Sequence, residues 1–302
     1  MHLATLAREL QQGLQGEVLI NEPLARHTTW RIGGPADLLA RPATGEEIDF
    51  CLGFARQKGL PLHIMGNGSN LLVGDGGVRG LVVQTKAWRQ VLVQGRVIRA
   101  CAGAFIARVL DVAGRAGLGG LEFAAGIPAT IGGAVVMNAG TPEGCLGDIV
   151  RGVEVIAPDG SRYYLERRDI TFSYRYSSLR QEGTVVAVDL AMTASDPLVI
   201  QERVRKNLEG RQARQPLEWP NAGSVFKNPA GYYAGQLIEE VGAKGWQAGQ
   251  AQVSTKHANF IINLGRATAA DVLELIARIQ EAVARAFGIN LELEVEIWGD
   301  SQ

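Results

Sequence analysis

Cysteine and histidine are scarce, with three and four among 302 residues. Cys51, Cys101 and Cys145 stand far apart and form no Cys-x-x-Cys pair, so neither a disulfide framework nor a zinc spacing is present. Reduced, buried thiols are the simplest reading, and no metal site is expected. A basic excess is equally missing: 30 Lys and Arg against 31 Asp and Glu leave a net charge of −1. That balance excludes a general nucleic-acid binder, which needs a basic stripe. Arg8 and Glu9 interrupt the N-terminal segment, and no small-residue cleavage site follows an apolar run, which points to the cytoplasm. The stretch from Phe123 to Pro142 carries no charge. Pro128 and its glycines would strand backbone groups in lipid, so it is not expected to span a membrane. No internal repeat or low-complexity segment is present.

What the chain has in quantity is apolar side chains, 46% of the total, and 38 glycines that cluster rather than scatter. The first allows a sizeable interior in two or three lobes. The second points to backbone that approaches a ligand closely. A helix is predicted over 3–15. A second opens at a Thr44–Glu47 capping box, runs to about Lys58 and stops at Gly59. Leu62–Met65 reads as a buried strand, Val91–Arg99 as a hairpin arm, and Phe105–Arg115 as a helix ending near Gly117. Asp159-Gly160, between Val153–Ile156 and Tyr163–Leu165, is a type I′ hairpin signal. Val185–Met192 is another apolar strand. Asp196-Pro197 caps a helix across 198–211, and the main lobe boundary is placed near residue 200. Beyond it come a helix at Gly235–Val241, a strand at Ala258–Asn263 and a long helix from Ala269 to Phe287 closed by Gly288. Strict alternation at the end puts Leu291, Leu293, Val295 and Ile297 on one strand face and Glu292, Glu294 and Glu296 on the other.

Several places carry candidate chemistry. Gly66-Asn67-Gly68-Ser69-Asn70-Leu71 follows a strand, and its backbone N–H groups suit an anion-binding nest, though an ordinary loop fits as well. It is not the Rossmann fingerprint, since no Gly-x-x-Gly continues into a helix with an acid about 20 residues on. Gly126-Ile127-Pro128-Ala129-Thr130 leads into Gly132-Gly133-Ala134, a bare loop before a short helix, where a phosphate or a tight Gly/Ala crossing would be at home. A single pyrophosphate-bearing dinucleotide explains both segments. Tyr174-Arg175-Tyr176 reads as a surface strand with a ring-covered arginine, or as a guanidinium that forks onto a carboxylate. Ser224 sits in Asn221-Ala222-Gly223-Ser224-Val225-Phe226-Lys227-Asn228-Pro229, which is not a Gly-x-Ser-x-Gly elbow and has no evident histidine partner. A serine hydroxyl is a poor acid, so it would donate only to a strongly basic centre such as an enolate. Glu294, taken alone, is a solvated residue.

Taken together, these segments resemble the UDP-N-acetylenolpyruvoylglucosamine reductase family, in its shorter form. His27-Thr28-Thr29-Trp30-Arg31-Ile32-Gly33-Gly34-Pro35-Ala36-Asp37 is similar to that family's opening segment, and the match is collinear from about residue 20 to the C-terminus. The resemblance implies an α+β protein with a two-subdomain FAD-binding fold of the vanillyl-alcohol-oxidase (PCMH) type. Residues 1–200 would bind FAD, in subdomains of roughly 1–84 and 85–200, and 201–302 would form an α+β substrate domain. FAD would be held non-covalently by Gly66, Asn67, Gly68, Ser69, Asn70, Leu71, Gly126, Ile127, Pro128, Thr130, Gly132, Gly133, Ala134, Asn138 and Ala139. NADPH would be the reductant, and UDP-N-acetylglucosamine enolpyruvate would accept hydride at its terminal enol-ether carbon. Arg175 and Glu294 would stabilise the enolate-like centre, Glu294 with a pKa raised by burial, and Ser224 would supply the proton. Tyr174, Arg214, Lys227, Asn228 and His257 would contact the substrate. The family often has a basic residue where this chain has Glu296, which puts any contact there in doubt.

Two rival readings differ in class. A flavin oxidase of the same architecture would have no need of the Ser224 loop and Glu294 as proton donor and partner. A non-catalytic UDP-sugar or nucleotide binder would carry no flavin and purify colourless.

Overall fold

The computed structural model describes residues 2–299, so the ends of the predicted lobes at Met1 and 300–302 lie outside it. The chain divides into two compact units. The first comprises Met1–Ile20, Leu38–Asn67 and Gly80–Arg211, and the second Asn21–Asp37, Gly68–Arg79 and Gln212–Gln302.

The first unit holds two cores. One packs the amphipathic helix Leu3–Gln11 and the helix Gly45–Lys58 over a four-stranded sheet, through Leu6, Leu10, Leu38, Phe54, Leu81 and Val83. Leu62–Met65 is a strand of that sheet, parallel to Val78–Gln84 with Met65 opposite Gln84, so the chain leaves the sheet directly into the Gly66 turn. Gly59 closes the second helix at φ 62°. Only half of its predicted capping box forms. Thr44 Oγ1 accepts from Glu47 N, but the Glu47 carboxylate accepts from Gln15 N and Ala43 N instead of the cap residue's N–H. A non-local donor, Gln15, has won the buried carboxylate.

The other core belongs to an antiparallel sheet in the order Arg162–Glu166, Val150–Ile156, Thr184–Ala191, Val97–Cys101, Val91–Gln94, with the helix Ile106–Arg115 and the short helix Ile131–Val136 against it. Val91–Cys101 is thus a whole hairpin rather than one arm. The Asp159-Gly160 hairpin forms, but not with a type I′ turn. Five residues, 157–161, connect the strands, and only Gly160, at φ 93°, has positive φ. Pro158 fixes its own φ near −65°, so the turn closes as Gly160 N to Ala157 O, with the glycine placed after it. The uncharged 123–142 stretch is broken into a 3-10 turn, the helix Ile131–Val136 and a hairpin strand. No helix among the described residues is long and apolar enough to cross a membrane.

The second unit is organised around the helix Ala269–Phe287. Thr268 and Asp271 form a reciprocal capping box at its start, and Gly288 ends it at φ 69°. Val272, Leu275, Ile276, Ile279 and Val283 project from one face into a core shared with Trp30, Phe226 and the sheet Gln247–Ala248, Ala251–Val253, Ile261–Asn263. The strand predicted over Ala258–Asn263 covers only Ile261–Asn263. Trp30 is fully buried and donates its indole N–H to Ile261 O at 2.8 Å. The C-terminal alternation is not one strand. Leu291 and Val295 are buried, but Ile297 is 41% exposed, because the chain changes partner between them. Leu293 bridges Phe226, whereas Glu296–Trp298 runs parallel to Leu71–Val73.

Leu275→Ala should lower the unfolding free energy by about 2–5 kcal/mol by opening a core cavity. Thr268→Ala should cost only about 1 kcal/mol through loss of the cap. Urea denaturation that ranks the two in the reverse order would contradict this account of the second unit's core.

Candidate active site

In the first unit the two glycine segments meet. Asn67 Nδ2 donates to Pro128 O at 2.7 Å. A Cβ on Gly66 would collide with Thr130 Oγ1, so only glycine lets these segments approach. Thr130 Oγ1 is buried and has no hydrogen-bond partner among the described residues. A buried hydroxyl left unpaired is costly, and a ligand phosphate or hydroxyl would satisfy it. The short helix that follows does not present an open N-terminus. Ile131 N and Gly132 N donate to Ala104 O and Ala102 O at 2.8 and 3.0 Å. Gly132 is a glycine because a Cβ there would press on Ala102. Gly126, at φ 79°, leaves room for the Arg211 side chain, which a Cβ would meet at 2.9 Å. The stranded Thr130 hydroxyl and the missing Cβ atoms at Gly66 and Gly126 fit close approach of an FAD pyrophosphate to this main chain.

Farther along the same unit, Asn138 adopts φ 46°. Its Nδ2 donates to Ser173 O and its Oδ1 accepts from Gly147 N, both at 2.8 Å. Ala139 O accepts from Leu146 N. Tyr174-Arg175 is the two-residue turn between Phe172–Ser173 and Tyr176–Ser177, not a strand step. Arg175 takes φ 55°, unusual for a long side chain, and donates to Gly140 O at 3.1 Å. Its guanidinium carbon lies 5.1 Å from the Tyr174 ring centroid. The positive φ arises because a two-residue hairpin loop needs it, and it aims a half-buried cation along a fixed direction.

The second unit pairs the backbone that follows Ser224 with the segment that carries Glu294. Gly223, at φ 78°, turns the chain over Asn221, whose Oδ1 accepts Gly223 N. Open space surrounds Gly223, so its glycine answers a backbone angle and not crowding. Val225 O then accepts Glu294 N at 2.8 Å, and Lys227 N donates to Glu292 O at 2.8 Å. Asn70 brackets the same segment: its Nδ2 donates to Glu294 O, and its backbone oxygen accepts from Glu296 N. Ser224 and Glu294 are both half-buried. Asn228 Oδ1 accepts Ala234 N, which ties its side chain to the helix Ala234–Glu240, while Lys227 pairs with Glu292 at 3.3 Å. Gly68 O accepts Thr29 N. His257 stacks on Phe260 at 4.8 Å, and its Nδ1 accepts Asn259 N. Burial holds its pKa below the ordinary histidine value. The Lys244 and Arg214 charges act the same way, against a backbone hydrogen bond and Glu239. Arg214 is therefore near enough to His257 to be felt electrostatically.

Sequence reading missed Arg211, Ala102 and Asn259. Arg211 and Ala102 are recognisable only by what a Cβ would strike, and Asn259 only by its pairing with Phe226. Of the cysteines, Cys51 is buried with its thiol pushed up to about 12, whereas Cys145 is half-buried and donates to Asp148.

A sequence profile for the FAD binding domain matches residues 36–165, and one for the C-terminal domain of UDP-N-acetylenolpyruvoylglucosamine reductase matches 215–298. Fold and site thus define an FAD-containing oxidoreductase, with an α+β FAD-binding fold followed by a C-terminal domain. The UDP-N-acetylenolpyruvoylglucosamine reductase of Moorella thermoacetica is 68% identical over 99% of both chains, and that of Desulforamulus reducens 45% identical over 99% of this chain and all of its own. The crystal structure of the enzyme from Thermus caldophilus superposes with a TM-score of 0.82 at 39% identity, covering 95% of this chain and 100% of that one. An alkyldihydroxyacetonephosphate synthase shares the fold alone, with a TM-score of 0.50 at 18% identity over 64% of this chain and 41% of its own. The chain belongs to the UDP-N-acetylenolpyruvoylglucosamine reductase family.

Gly66→Ala should weaken FAD binding, and adding Thr130→Ala should restore part of the affinity by making room. Titration of apoprotein with FAD, followed by fluorescence, reads both. Because the folded pKa of His257 lies below 6.5, the unfolded chain takes up that proton first as pH falls, so this group lowers stability toward acid. His257→Gln should therefore lose less stability than the parent between about pH 7 and about pH 5 in denaturant melts. Equal losses would contradict the shift.

Proposed function

We propose that this protein reduces UDP-N-acetylglucosamine enolpyruvate to UDP-N-acetylmuramate with NADPH, in the cytoplasm, as a step of peptidoglycan synthesis. Residues 1–200 would bind FAD, in parts 1–84 and 85–200, and 201–302 the UDP-sugar. Bound flavin supplies hydride transfer, from NADPH to the terminal enol-ether carbon. Negative charge then develops at the carbon bearing the carboxylate, and the protein's own groups answer it. Ser224 Oγ donates the proton to that carbon. Arg175, with its direction set by the Tyr174-Arg175 turn, stabilises the developing oxyanion, an interaction typically worth about 3–4 kcal/mol. Glu294 assists as an acid or through a water. Lys227, Asn228, Arg214, His257 and Tyr174 are assigned to the UDP-sugar, with the cations facing its diphosphate.

The observation that carries this reading is the Val225 O to Glu294 N hydrogen bond. It runs the backbone just after Ser224 alongside the Glu294 segment, which supports assigning a hydroxyl and a carboxyl to one site, and the sequence gives the serine no evident histidine partner. Such a pair suits protonation of a carbanion-like centre and not acyl transfer.

The test separates the two half-reactions anaerobically. NADPH should bleach the flavin of the purified protein, and UDP-N-acetylglucosamine enolpyruvate should return the colour. Bleaching without return would favour an oxidase acting on another substrate. No flavin uptake after reconstitution would leave a nucleotide binder. Ser224→Ala should slow colour return by about 10²–10⁴-fold while bleaching stays within about twofold of the parent. Equal loss of both steps would remove the proton-donor role.

A further inference from the structure

We infer that Asn259 is the positioning residue of the proton-donating loop, holding Ser224 and Glu294 in mutual register without touching substrate. The inference rests on the reading of Ser224 given above.

Asn259 is 3% exposed, and its side-chain amide pairs with the main chain as a peptide group would. Its Oδ1 accepts from Phe226 N at 2.9 Å, and its Nδ2 donates to Phe226 O at 2.8 Å. Its own backbone oxygen accepts from Val225 N at 2.9 Å. One residue therefore imitates a neighbouring strand for the two positions that follow Ser224. The other edge of the segment is held by Val225 O to Glu294 N and Lys227 N to Glu292 O. Residues 225–227 are thus bonded on both sides, and the side-chain half of one edge belongs to Asn259 alone.

The anchor is itself fixed. His257 Nδ1 accepts Asn259 N, Ser254 Oγ accepts the N–H groups of Lys256 and His257, and Ser254 N donates to Phe260 O. Gly235 lies against this turn, where a Cβ would meet the His257 ring at 3.1 Å and Asn259 Cβ at 3.6 Å. On the Ser224 side, Gly223 has φ 78° and open space around it. The loop is therefore hinged just before Ser224 and clamped just after it.

Only asparagine fits this clamp. An aspartate of the same size loses the donor and sets a carboxylate against the Phe226 carbonyl, and alanine removes both bonds. Either change frees Val225 and Phe226 to shift, and a shift of about 1 Å at a reacting group costs on the order of 10²-fold in rate.

The experiment uses the full-length, flavin-loaded protein. Asn259→Ala and Asn259→Asp should slow flavin reoxidation by UDP-N-acetylglucosamine enolpyruvate about 10²-fold, with KM for that substrate little changed. Bleaching by NADPH should stay near the parental rate, a split that general loss of structure would not produce. In Ser224→Ala protein, adding Asn259→Ala should cause no further loss, because both changes remove one and the same proton transfer. If Asn259→Ala does not fold, Asn259→Asp with intact flavin content carries the test. Parental reoxidation rates in either folded variant would overturn the proposal, as would an undiminished 10²-fold effect on top of Ser224→Ala. Full activity in Ser224→Ala alone would instead remove the reading on which it rests.

Discussion

The main-chain pairing between residues 225–227 and 292–294 organises the second unit's site. These segments are far apart in sequence, and each is too short to hold a shape by itself. Lys227 N to Glu292 O and Val225 O to Glu294 N lock them at the spacing of paired strands. Residues directly opposite on paired segments are close neighbours, and here Val225 and Phe226 lie opposite Glu294 and Leu293. Phe226, almost wholly buried, keeps the segment seated on the core beneath. The apolar burial and the polar chemistry alternate along one short piece of backbone.

The first unit works on another principle. Its two glycine-bearing loops carry almost no charge, and what marks them is missing Cβ atoms and one stranded hydroxyl. Gly66 and Gly132 are small because Thr130 and Ala102 occupy the space a methyl would need. Backbone left bare in this way can be approached closely by a ligand. That economy also explains how a protein of net charge −1 can be designed around phosphates.

Helix ends were legible because their causes are local. Thr44, Gly59 and Gly288 sit where the backbone needs a side-chain acceptor or a left-handed residue, and the structure uses each of them so. The glycine loops could also be read, since clustered glycines expose bare backbone, whereas the motif residues were legible only through the family resemblance. What stayed hidden depends on partners remote in sequence. Glu47 looks like half of a capping box until Gln15 is seen to claim it. The final alternating run reads as one strand, yet it divides between Phe226 and Leu71–Val73, which leaves Ile297 in solvent. Arg175 resembles a strand residue because nothing in its neighbours announces a left-handed turn. Asn259 gives no sign at all, since pairing with a peptide group is a property of its position.

The parallel pairing of Glu296–Trp298 with Leu71–Val73, extended by Gly74 N to Trp298 O, ties an early segment to a late one. During synthesis at about 5–20 residues per second, Leu71–Val73 must wait for more than two hundred later residues before its partner leaves the ribosome. Asn70 and Glu294 cannot meet until then. Until residues 296–298 have emerged the nascent chain cannot form this pairing, and the apolar strand Leu71–Val73 stays without its partner for that time. Emergence of residues 296–298, and not of the segments that precede them, is the step that closes this strand pair.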